Sequence, residues 1–254
     1  MNEFVDPVWQ KLLEGNKAVN FEQLWARNDA WFEKPNSGRS KGGWSGVCRI
    51  EIGGKFFFLK KQEKFLTYSL KAPFGQSLVV KEKDNLARFN NLKIPCVKLV
   101  YFGVRKFKGR VQGMIMTEAL NGYISLDEAV LGYERLPLEK RRKVIHSLAK
   151  LVKFTHEKGQ MHNSLYPKHL FIEENFARGG EPSQEPLSRF IDLETAKKAK
   201  NGSKKQLRDL DTLDRRSLFG SKTDRLAFVL AYLNQKSCNA KVRSFLKRLS
   251  AVSK

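Results

Sequence analysis

The stretch GGWSGVCRIEIGGKFFFLKKQE, residues 42–63, gives the first indication of the fold. Two apolar runs flank Gly53-Gly54, a dipeptide that favours the tight turn of a β-hairpin. We therefore predict a strand, a turn and a second strand that ends at Lys60. A glycine-rich hairpin at the start of the stretch contains Gly42, Gly43 and Gly46.

The segments around this hairpin extend a β-rich half. Residues 76–93 carry apolar side chains at three- and four-residue spacing, which predicts a helix. VKLVYFGVRKF (97–107) and RVQGMIMTEAL (110–120) are predicted as two strands around a tight turn at Lys108-Gly109. Residues 1–34 place apolar side chains at helical spacing, so we expect a short helical lead-in before the hairpin.

Beyond residue 120 the periodicity becomes helical. Residues 138–158 are predicted as a long helix that stops at Gly159, and residues 204–254 as a strongly basic helical end. HLFIE and SRFIDLE, between them, are predicted as two small strands. The fold class is therefore α+β, and the predicted organisation is a helical lead-in at 1–35, a β-rich part at 36–120 and a mainly helical part at 121–254.

Charge is the outlying property of the composition. The 254 residues include 48 Lys and Arg against 26 Asp and Glu, a formal net charge of +22. A surplus of this size favours association with polyanions, so nucleic acid, an anionic membrane surface and a phosphorylated saccharide all qualify as partners. The 18 phenylalanines and an apolar fraction of 41% are typical of a folded chain and exclude intrinsic disorder.

The cysteines and the apolar runs bear on the compartment. Cys48, Cys96 and Cys238 are odd in number and widely spaced, which excludes a disulfide framework and a CxxC metal site. The first residues lack the apolar core of a signal peptide, and no apolar run approaches the ~18 residues of a membrane span. We expect a cytoplasmic protein that attaches peripherally to the anionic inner membrane through its charge. The sequence leaves the oligomeric state undetermined.

Five sequence elements in one order carry the chemistry. They are the glycine-rich hairpin, Lys60, Glu82 in the following helix, His162-Asn163-Ser164 with His169, and Ile191-Asp192-Leu193-Glu194. Glycines let backbone amides approach phosphate oxygens, and a lysine adds a cation there. An aspartate at a strand end suits a divalent metal because hard cations prefer oxygen ligands. Each element taken singly has a plainer interpretation, as an ordinary turn, a solvated strand end, a surface charge or polar loop residues. The order of the elements, with the change from strands to helices, resembles the signature set of protein kinases.

The amino-acid sequence of these segments resembles that of the lipopolysaccharide kinase (InaA/WaaP) family of the protein-kinase-like superfamily, over roughly residues 36–220. LYPKHLF and RDLDTLDRRS are the most specific strings. The segments that carry the resemblance are GGWSGV (42–47), FFFLKKQE (56–63), KEKDNLARFNNLKIP (81–95), MTEAL (116–120), HNSLYPKHLFI (162–172), FIDLETA (190–196) and LRDLDTLDRRS (207–217). The resemblance implies a two-lobed fold with a small β-rich N-lobe and a mainly helical C-lobe.

The resemblance also implies a nucleotide site. Lys60 would contact the phosphates of ATP, Glu82 would pair with Lys60, and Glu118 to Leu120 would line the adenine pocket. The glycines of the hairpin, Gly42, Gly43 and Gly46, would cover the phosphates. The implied activity is transfer of the γ-phosphate of ATP to a sugar hydroxyl of the lipopolysaccharide inner core.

Metal and catalytic residues are expected in the second half. Asp192 would hold Mg2+, with Glu194 as a second carboxylate for metal or base work. His169 is a poor ligand for Mg2+, although imidazole suits softer metals. His162 belongs to the predicted catalytic loop, and Lys168 could approach the transferred phosphate from it.

One position departs from the kinase pattern. In loops of the form H-x-D-x-x-x-x-N the aspartate is the catalytic base, but here Ser164 takes its place and His169 takes that of the asparagine. A general base contributes about 10²–10⁴ in rate, whereas positioning and charge stabilisation carry most of phosphoryl transfer. The expectation is an altered acceptor half of the site beside an intact nucleotide half.

Two alternatives of other classes stay open. A pseudokinase that binds nucleotide and acts as a regulatory or scaffold protein is favoured by Ser164. A nucleic-acid-binding protein is suggested by the net charge and by Trp44, Phe65 and Tyr68 among lysines, but no recognised nucleic-acid module is visible.

Overall fold

The chain is described from a computed structural model that covers residues 2–37, 42–69, 72–217 and 220–252. It divides into two compact units. The first unit consists of Met1–Ala87 and Val97–Ala119, and the second of Arg88–Cys96 and Leu120–Lys254. The residues just before Gly42 in the predicted glycine-rich hairpin, 38–41, lie outside the described residues.

The first unit is built on an antiparallel sheet. Its elements in chain order are β1 (Asn2–Val5), α1 (Gln10–Gly15), α2 (Phe21–Ala26), β2 (Trp31–Asn36), β3 (Trp44–Ile52), β4 (Lys55–Glu63), β5 (Leu66–Ser69), β6 (Ala72–Ser77), α3 (Leu78–Asn91), β7 (Leu99–Phe107) and β8 (Arg110–Glu118). The last residues of α3, from Arg88 on, are assigned to the second unit. The strand order of the main sheet is β1-β7-β8-β4-β3-β2, and β5 pairs with β6 in a separate two-stranded sheet.

Two tight turns fix the register of the main sheet. Gly53 and Gly54 have φ angles of 55° and 73°, and Lys108 and Gly109 have φ angles of 46° and 74°. Positive φ at both central residues is the geometry of the type I′ hairpin turn, whose twist matches that of paired strands. The predictions of both hairpins are confirmed, but β4 runs on to Glu63 and does not end at Lys60.

The predicted lead-in is only partly helical. Helices α1 and α2 are present and bury Leu13, Phe21 and Leu24 in the core of the first unit. The prediction is wrong for β1 and β2, which are strands of the main sheet. Edge strands this short have too few residues to show a period, so their pairing with β7 and β3 decides their conformation.

The second unit is mainly helical. Its elements in chain order are β9 (Tyr123–Ser125), α4 (Leu126–Ala129), α5 (Leu138–Glu157), β10 (Gln160–Met161), β11 (Leu170–Glu173), α6 (Glu174–Ala177), β12 (Ser188–Phe190), β13 (Lys197–Lys198), α7 (Lys204–Arg216), α8 (Lys222–Leu233) and α9 (Ala240–Ser250). Short 3-10 turns lie at Tyr133–Arg135 and Pro167–His169.

Helix α5 forms the centre of the second unit. It buries an apolar stripe that includes Val144, Leu148 and Val152, and it packs against α8. The small strands β9, β11 and β12 form one sheet, and β10 pairs with β13. The loop of residues 162–169, between β10 and β11, is therefore held at both ends by paired strands.

The α+β prediction is confirmed, with a β-sheet N-terminal region and a helical C-terminal region. Within the described parts of the chain, we find no helix whose length and apolar character would let it cross a membrane.

Candidate active site

A buried ion pair joins a strand to a helix in the first unit. Lys60 Nζ on β4 donates to Glu82 Oε2 on α3 at 2.7 Å, and the side chains are 15% and 5% exposed. Removing two charges from water is costly and is repaid only when their geometry is good, so such a pair is weak evidence for stability. The ion pair does fix the position of the Lys60 ammonium. Lys60 is therefore not the solvated residue at a strand end that is its plainer interpretation.

The neighbouring lysine points to the other face of the strand. Lys61 is buried, and its Nζ donates to the backbone carbonyls of Trp25 at 3.0 Å and Arg27 at 2.7 Å. Burial lowers the pKa of Lys61. Because strand side chains alternate between faces, consecutive lysines have different tasks, and Lys61 holds the C-terminal end of α2.

The predicted glycines have structural reasons of their own. A Cβ on Gly43 would collide with the carbonyl oxygen of Lys64, and one on Gly46 would lie 2.7 Å from the ring of Trp31. Gly42 has a φ of 69° and open space where its Cβ would be. Glycine is thus required at position 43 by the close backbone and at position 46 by the indole ring. At position 42 it is required only by the left-handed backbone conformation.

The residues expected to line an adenine pocket end the first unit and begin the second. Glu118 is the last residue of β8, and its amide donates to the carbonyl of Lys98. Leu120 accepts a hydrogen bond from the amide of Tyr123. Both residues are half-buried.

In the second unit, one carboxylate anchors the predicted catalytic loop. Asp209 on α7 is 2% exposed, and its two oxygens accept the backbone amides of His162 and Asn163 at 2.7 Å each. Asn163 has a φ of 65°, a conformation that costs roughly 1 kcal/mol for a residue with a side chain. Asp209 therefore holds the loop in a bend that the loop would not adopt freely.

The side chain of His162 joins the loop to the IDLE segment. Its Nε2 lies 3.0 Å from the carbonyl of Ile191, which only accepts, so Nε2 carries the proton. Its buried Nδ1 has no hydrogen-bond partner among the described residues. The ring stacks on His169 with a centroid separation of 5.6 Å.

Ser164 occupies the position where a catalytic aspartate is expected. Its hydroxyl accepts a hydrogen bond from the Thr195 hydroxyl at 2.9 Å, and its carbonyl lies 2.9 Å from His169 Nδ1. The side chain is half-buried. With its very high pKa a serine hydroxyl cannot accept a proton at neutral pH, but it can hydrogen-bond an acceptor hydroxyl.

Two of the three predicted metal ligands are in contact. His169 Nε2 lies 3.4 Å from Asp192 Oδ2, where His169 is buried and Asp192 is 37% exposed. The carboxylate oxygens of Asp192 and Glu194 lie within 4.8 Å of each other. Asp192 thus lies near both an imidazole nitrogen and a second carboxylate. Together these nitrogen and oxygen atoms are a donor set that fits a divalent cation.

Lys168 is exposed on the 3-10 turn that ends the loop. Its charge acts on Asp127 of α4: partial burial raises the pKa of the Asp127 carboxyl, and Lys168 opposes that rise. Sequence reasoning did not select Asp127.

Sequence reasoning also missed a buried hydrogen-bond network that holds Asp209 and the start of the catalytic loop. His156 Nδ1 lies 2.8 Å from the Tyr232 hydroxyl and its Nε2 lies 3.5 Å from Asp209, all three residues being buried. Gln206 Nε2 donates to the carbonyls of His156 at 2.8 Å and Gln160 at 3.1 Å. A signal was present, because Gln206 and Asp209 sit at helical spacing beside the buried leucines of α7.

Comparison with known proteins identifies the family. The model of the lipopolysaccharide kinase (Kdo/WaaP) family matches residues 22–240, which is most of the chain. The chain belongs to this family. The similarity predicted from GGWSGV, LYPKHLF and RDLDTLDRRS is therefore confirmed.

Two known proteins are similar to the chain. Protein InaA of Escherichia coli (strain K12) is 26% identical over 185 residues, which cover 72% of this chain and 81% of InaA. The solved structure of WaaP in complex with acyl carrier protein matches with a TM-score of 0.69 at 19% identity, covering 99% of this chain and 95% of that chain. At this identity the structural match shows the fold alone.

Proposed function

We propose that this chain is an ATP-dependent kinase that transfers the γ-phosphate of ATP to a sugar hydroxyl of the lipopolysaccharide inner core. The observation that carries the proposal is the Lys60–Glu82 ion pair at 2.7 Å, in a chain that belongs to a lipopolysaccharide kinase family. Packing does not explain it, since a buried charge pair is a poor way to gain stability. A lysine held at a fixed place is what neutralisation of phosphate charge requires.

The roles of the residues follow from their chemistry. Lys60, positioned by Glu82, would neutralise charge on the phosphates of ATP, and Gly42, Gly43 and the backbone near Gly46 would cover them. Glu118 and Leu120 would contact the adenine. A bound divalent metal, Mg2+ in the first instance, would neutralise phosphate charge. Asp192 would hold it and Glu194 would supply a further carboxylate, whereas His169 beside Asp192 would suit a softer metal.

The acceptor half would work without the usual carboxylate. Asp209 and His162 hold the loop in place, and the Ser164 hydroxyl would hydrogen-bond the acceptor hydroxyl. The acceptor oxygen forms a bond to the γ-phosphorus, the bond from that phosphorus to the bridging oxygen of ADP breaks, and the acceptor proton leaves to water or to Glu194. Lys168 would approach the transferred phosphate from the loop. We expect a rate below that of a kinase with an aspartate at position 164, by up to about 10²–10⁴.

The proposed partner is an anionic phosphosaccharide at the cytoplasmic face of the inner membrane. We name as the basic surface the exposed lysines of residues 197–205 together with α9. Arg248 Nη2 on α9 donates to the carbonyl of Gly202 at 2.6 Å, which joins the two parts, and the sequence has no acidic residue after Asp224. Each cation near an anionic leaflet contributes about 1 kcal/mol of attraction, which supports peripheral attachment of a cytoplasmic protein.

A catalytically weak pseudokinase is the second candidate. The Ser164 hydroxyl, paired with Thr195, is the observation that favours it, because this position has no carboxylate to accept a proton. Nucleotide binding does not separate the two candidates, since a pseudokinase can retain it. Phosphate transfer does.

The deciding experiment measures transfer of labelled γ-phosphate from ATP to purified, dephosphorylated lipopolysaccharide core. Lys60→Met and Asp192→Asn are expected to abolish transfer, whereas Lys55→Met, on the exposed start of the same strand, is expected to keep it. Absence of transfer with several core acceptors, while nucleotide binding still depends on Lys60, would favour the pseudokinase. Nucleotide binding that is indifferent to both substitutions would overturn the site.

A further inference from the structure

Thr195 lies between two oxygen atoms of the predicted catalytic loop. Its hydroxyl oxygen is 2.9 Å from the hydroxyl oxygen of Ser164 and 3.3 Å from the carbonyl oxygen of His162. A threonine hydroxyl has one proton, so it can make only one of these two hydrogen bonds at full strength. The shorter distance gives that proton to Ser164 in this structure, and the carbonyl of His162 is the second acceptor within reach.

The carbonyl of His162 is directed at Thr195 by the carboxylate that anchors the loop. The amide of Asn163 donates to Asp209 at 2.7 Å. This N–H and the carbonyl of His162 belong to one trans peptide, in which they point in opposite directions. Because the N–H faces Asp209, the carbonyl faces Thr195. A charge-assisted hydrogen bond on one side of a peptide polarises it, which makes its carbonyl a stronger acceptor.

The backbone of Ser164 is fixed, which leaves its hydroxyl to be oriented. The Ser164 carbonyl accepts the amide of Tyr166 at 2.8 Å and lies 2.9 Å from His169 Nδ1. The hydroxyl has one proton and two lone pairs, and of the described residues only Thr195 hydrogen-bonds it. Thr195 therefore determines whether Ser164 presents its proton or a lone pair to an acceptor.

The direction of the hydrogen bond matters for phosphoryl transfer. An acceptor hydroxyl that donates to Ser164 keeps its lone pairs for the attack on phosphorus, whereas one that accepts from Ser164 uses a lone pair in that bond. A row of hydroxyls that hydrogen-bond one another is best ended by a group that only accepts, and a carbonyl is such a group. In the order acceptor hydroxyl, Ser164, Thr195 and His162 carbonyl, every proton has a partner and every bond has the direction that transfer requires.

We infer that Thr195 is a positioning residue, whose hydroxyl turns from Ser164 to the His162 carbonyl when the acceptor binds and so lets Ser164 accept the hydrogen bond of the acceptor hydroxyl. The inference rests on the proposed function, because it concerns the acceptor half of the same site. The row of hydroxyls takes up no net proton; the acceptor proton still leaves to water or to Glu194. Thr195 acts through Ser164 and does not touch the reacting atoms.

The test is a double-mutant cycle of Thr195→Val and Ser164→Ala in the full chain. It measures transfer of labelled γ-phosphate from ATP to dephosphorylated lipopolysaccharide core. Valine matches threonine in shape but lacks the hydroxyl. One hydrogen bond is worth about 3–10-fold, so Thr195→Val is expected to lower kcat/KM for the acceptor by that factor. In a chain that carries Ser164→Ala, the same substitution is expected to change it by less than about 2-fold. The affinity for ATP is expected to stay the same in all four proteins.

Two further variants separate the hydroxyl from the packing of the side chain. Thr195→Ser keeps the hydroxyl and is expected to recover most of the rate that Thr195→Val loses. Thr223→Val makes the same replacement at an exposed position on α8 and is expected to keep the full rate. An equal loss from Thr195→Val with and without the Ser164 hydroxyl would overturn the inference, and so would a Thr195→Ser chain as slow as Thr195→Val.

Failure of the proposed function gives a different result. An unmodified chain that binds the core acceptor but transfers no phosphate contradicts the proposed function, and the same four proteins are then compared in acceptor affinity with a non-hydrolysable ATP analogue present. The inference expects the Thr195 and Ser164 substitutions to be coupled by about 3–10-fold there as well, and independent effects on affinity would overturn it. A chain that binds no core acceptor contradicts both.

Discussion

Replacing Asp209 with asparagine keeps the size of the side chain and removes its charge and one acceptor. In the structure the two carboxylate oxygens each accept a backbone amide, from His162 and from Asn163, at 2.7 Å. His156 Nε2 lies 3.5 Å from the same carboxylate. Asparagine offers one acceptor oxygen and one amide donor, so one of the two backbone amides loses its partner in a site that is 2% exposed.

The magnitude follows from the burial of that amide. A buried donor without a partner costs about 1–3 kcal/mol, and the remaining hydrogen bond loses its charge-assisted part. We expect Asp209→Asn to lower the free energy of unfolding by about 2–4 kcal/mol. For a chain of this size each kcal/mol shifts Tm by roughly 2–4 °C, which gives a loss of roughly 5–15 °C.

The assay combines stability with local protection. Thermal unfolding gives the shift in Tm, and amide hydrogen exchange reports the amides of His162 and Asn163 directly. Asp214→Asn is the matched control, because Asp214 lies on the same helix but is exposed, where its pair with Arg225 at 2.9 Å contributes little. A Tm as high as that of the control, or unchanged protection of the two amides, would refute the anchoring role of Asp209.

Three further predictions test separate features of the chain. Ser164→Asp is expected to raise the rate of phosphate transfer about 10²-fold by supplying a base, and Ser164→Asn, which matches its shape but cannot accept a proton, is expected to show no such gain; equal rates for the two variants would count against a missing base. Gly46→Ala is expected to cost about 1–3 kcal/mol in urea denaturation, because its methyl group would lie 2.7 Å from the ring of Trp31, and an unchanged midpoint would contradict that contact. Cys238 is exposed, the other two cysteines are buried, and burial raises the pKa of Cys96 to about 12; a thiol reagent at pH 8 is therefore expected to modify one cysteine per folded chain and three after denaturation, and rapid modification of two or three in the folded chain would contradict this.

Lys60 and Lys61 lie on opposite faces of β4 and have different roles. Lys60 pairs with Glu82, and Lys61 on the opposite face holds the carbonyls of Trp25 and Arg27. Substitution of either lysine is expected to impair the protein, but for different reasons. A direct loss of a contact to the nucleotide phosphates is therefore expected only at Lys60.

Much of the fold follows from local sequence. The hairpin turns at Gly53-Gly54 and Lys108-Gly109 contain glycine, which accepts positive φ. Helix α5 is indicated by apolar residues with a period of 3.6. The family follows from short strings such as LYPKHLF, which the family model matches. These features depend on neighbouring residues, so one sequence is enough to find them.

Tertiary structure alone decided the conformation of β1 and β2 and the anchoring of the loop. The two strands carry no period of their own and become strands because β7 and β3 offer unpaired edges. Asp209 lies 47 residues from His162, and its helical spacing beside the leucines of α7 does not reveal which backbone amides it binds. Its role depends on burial, which determines whether a carboxylate binds water or a backbone amide, and burial is a property of the folded chain.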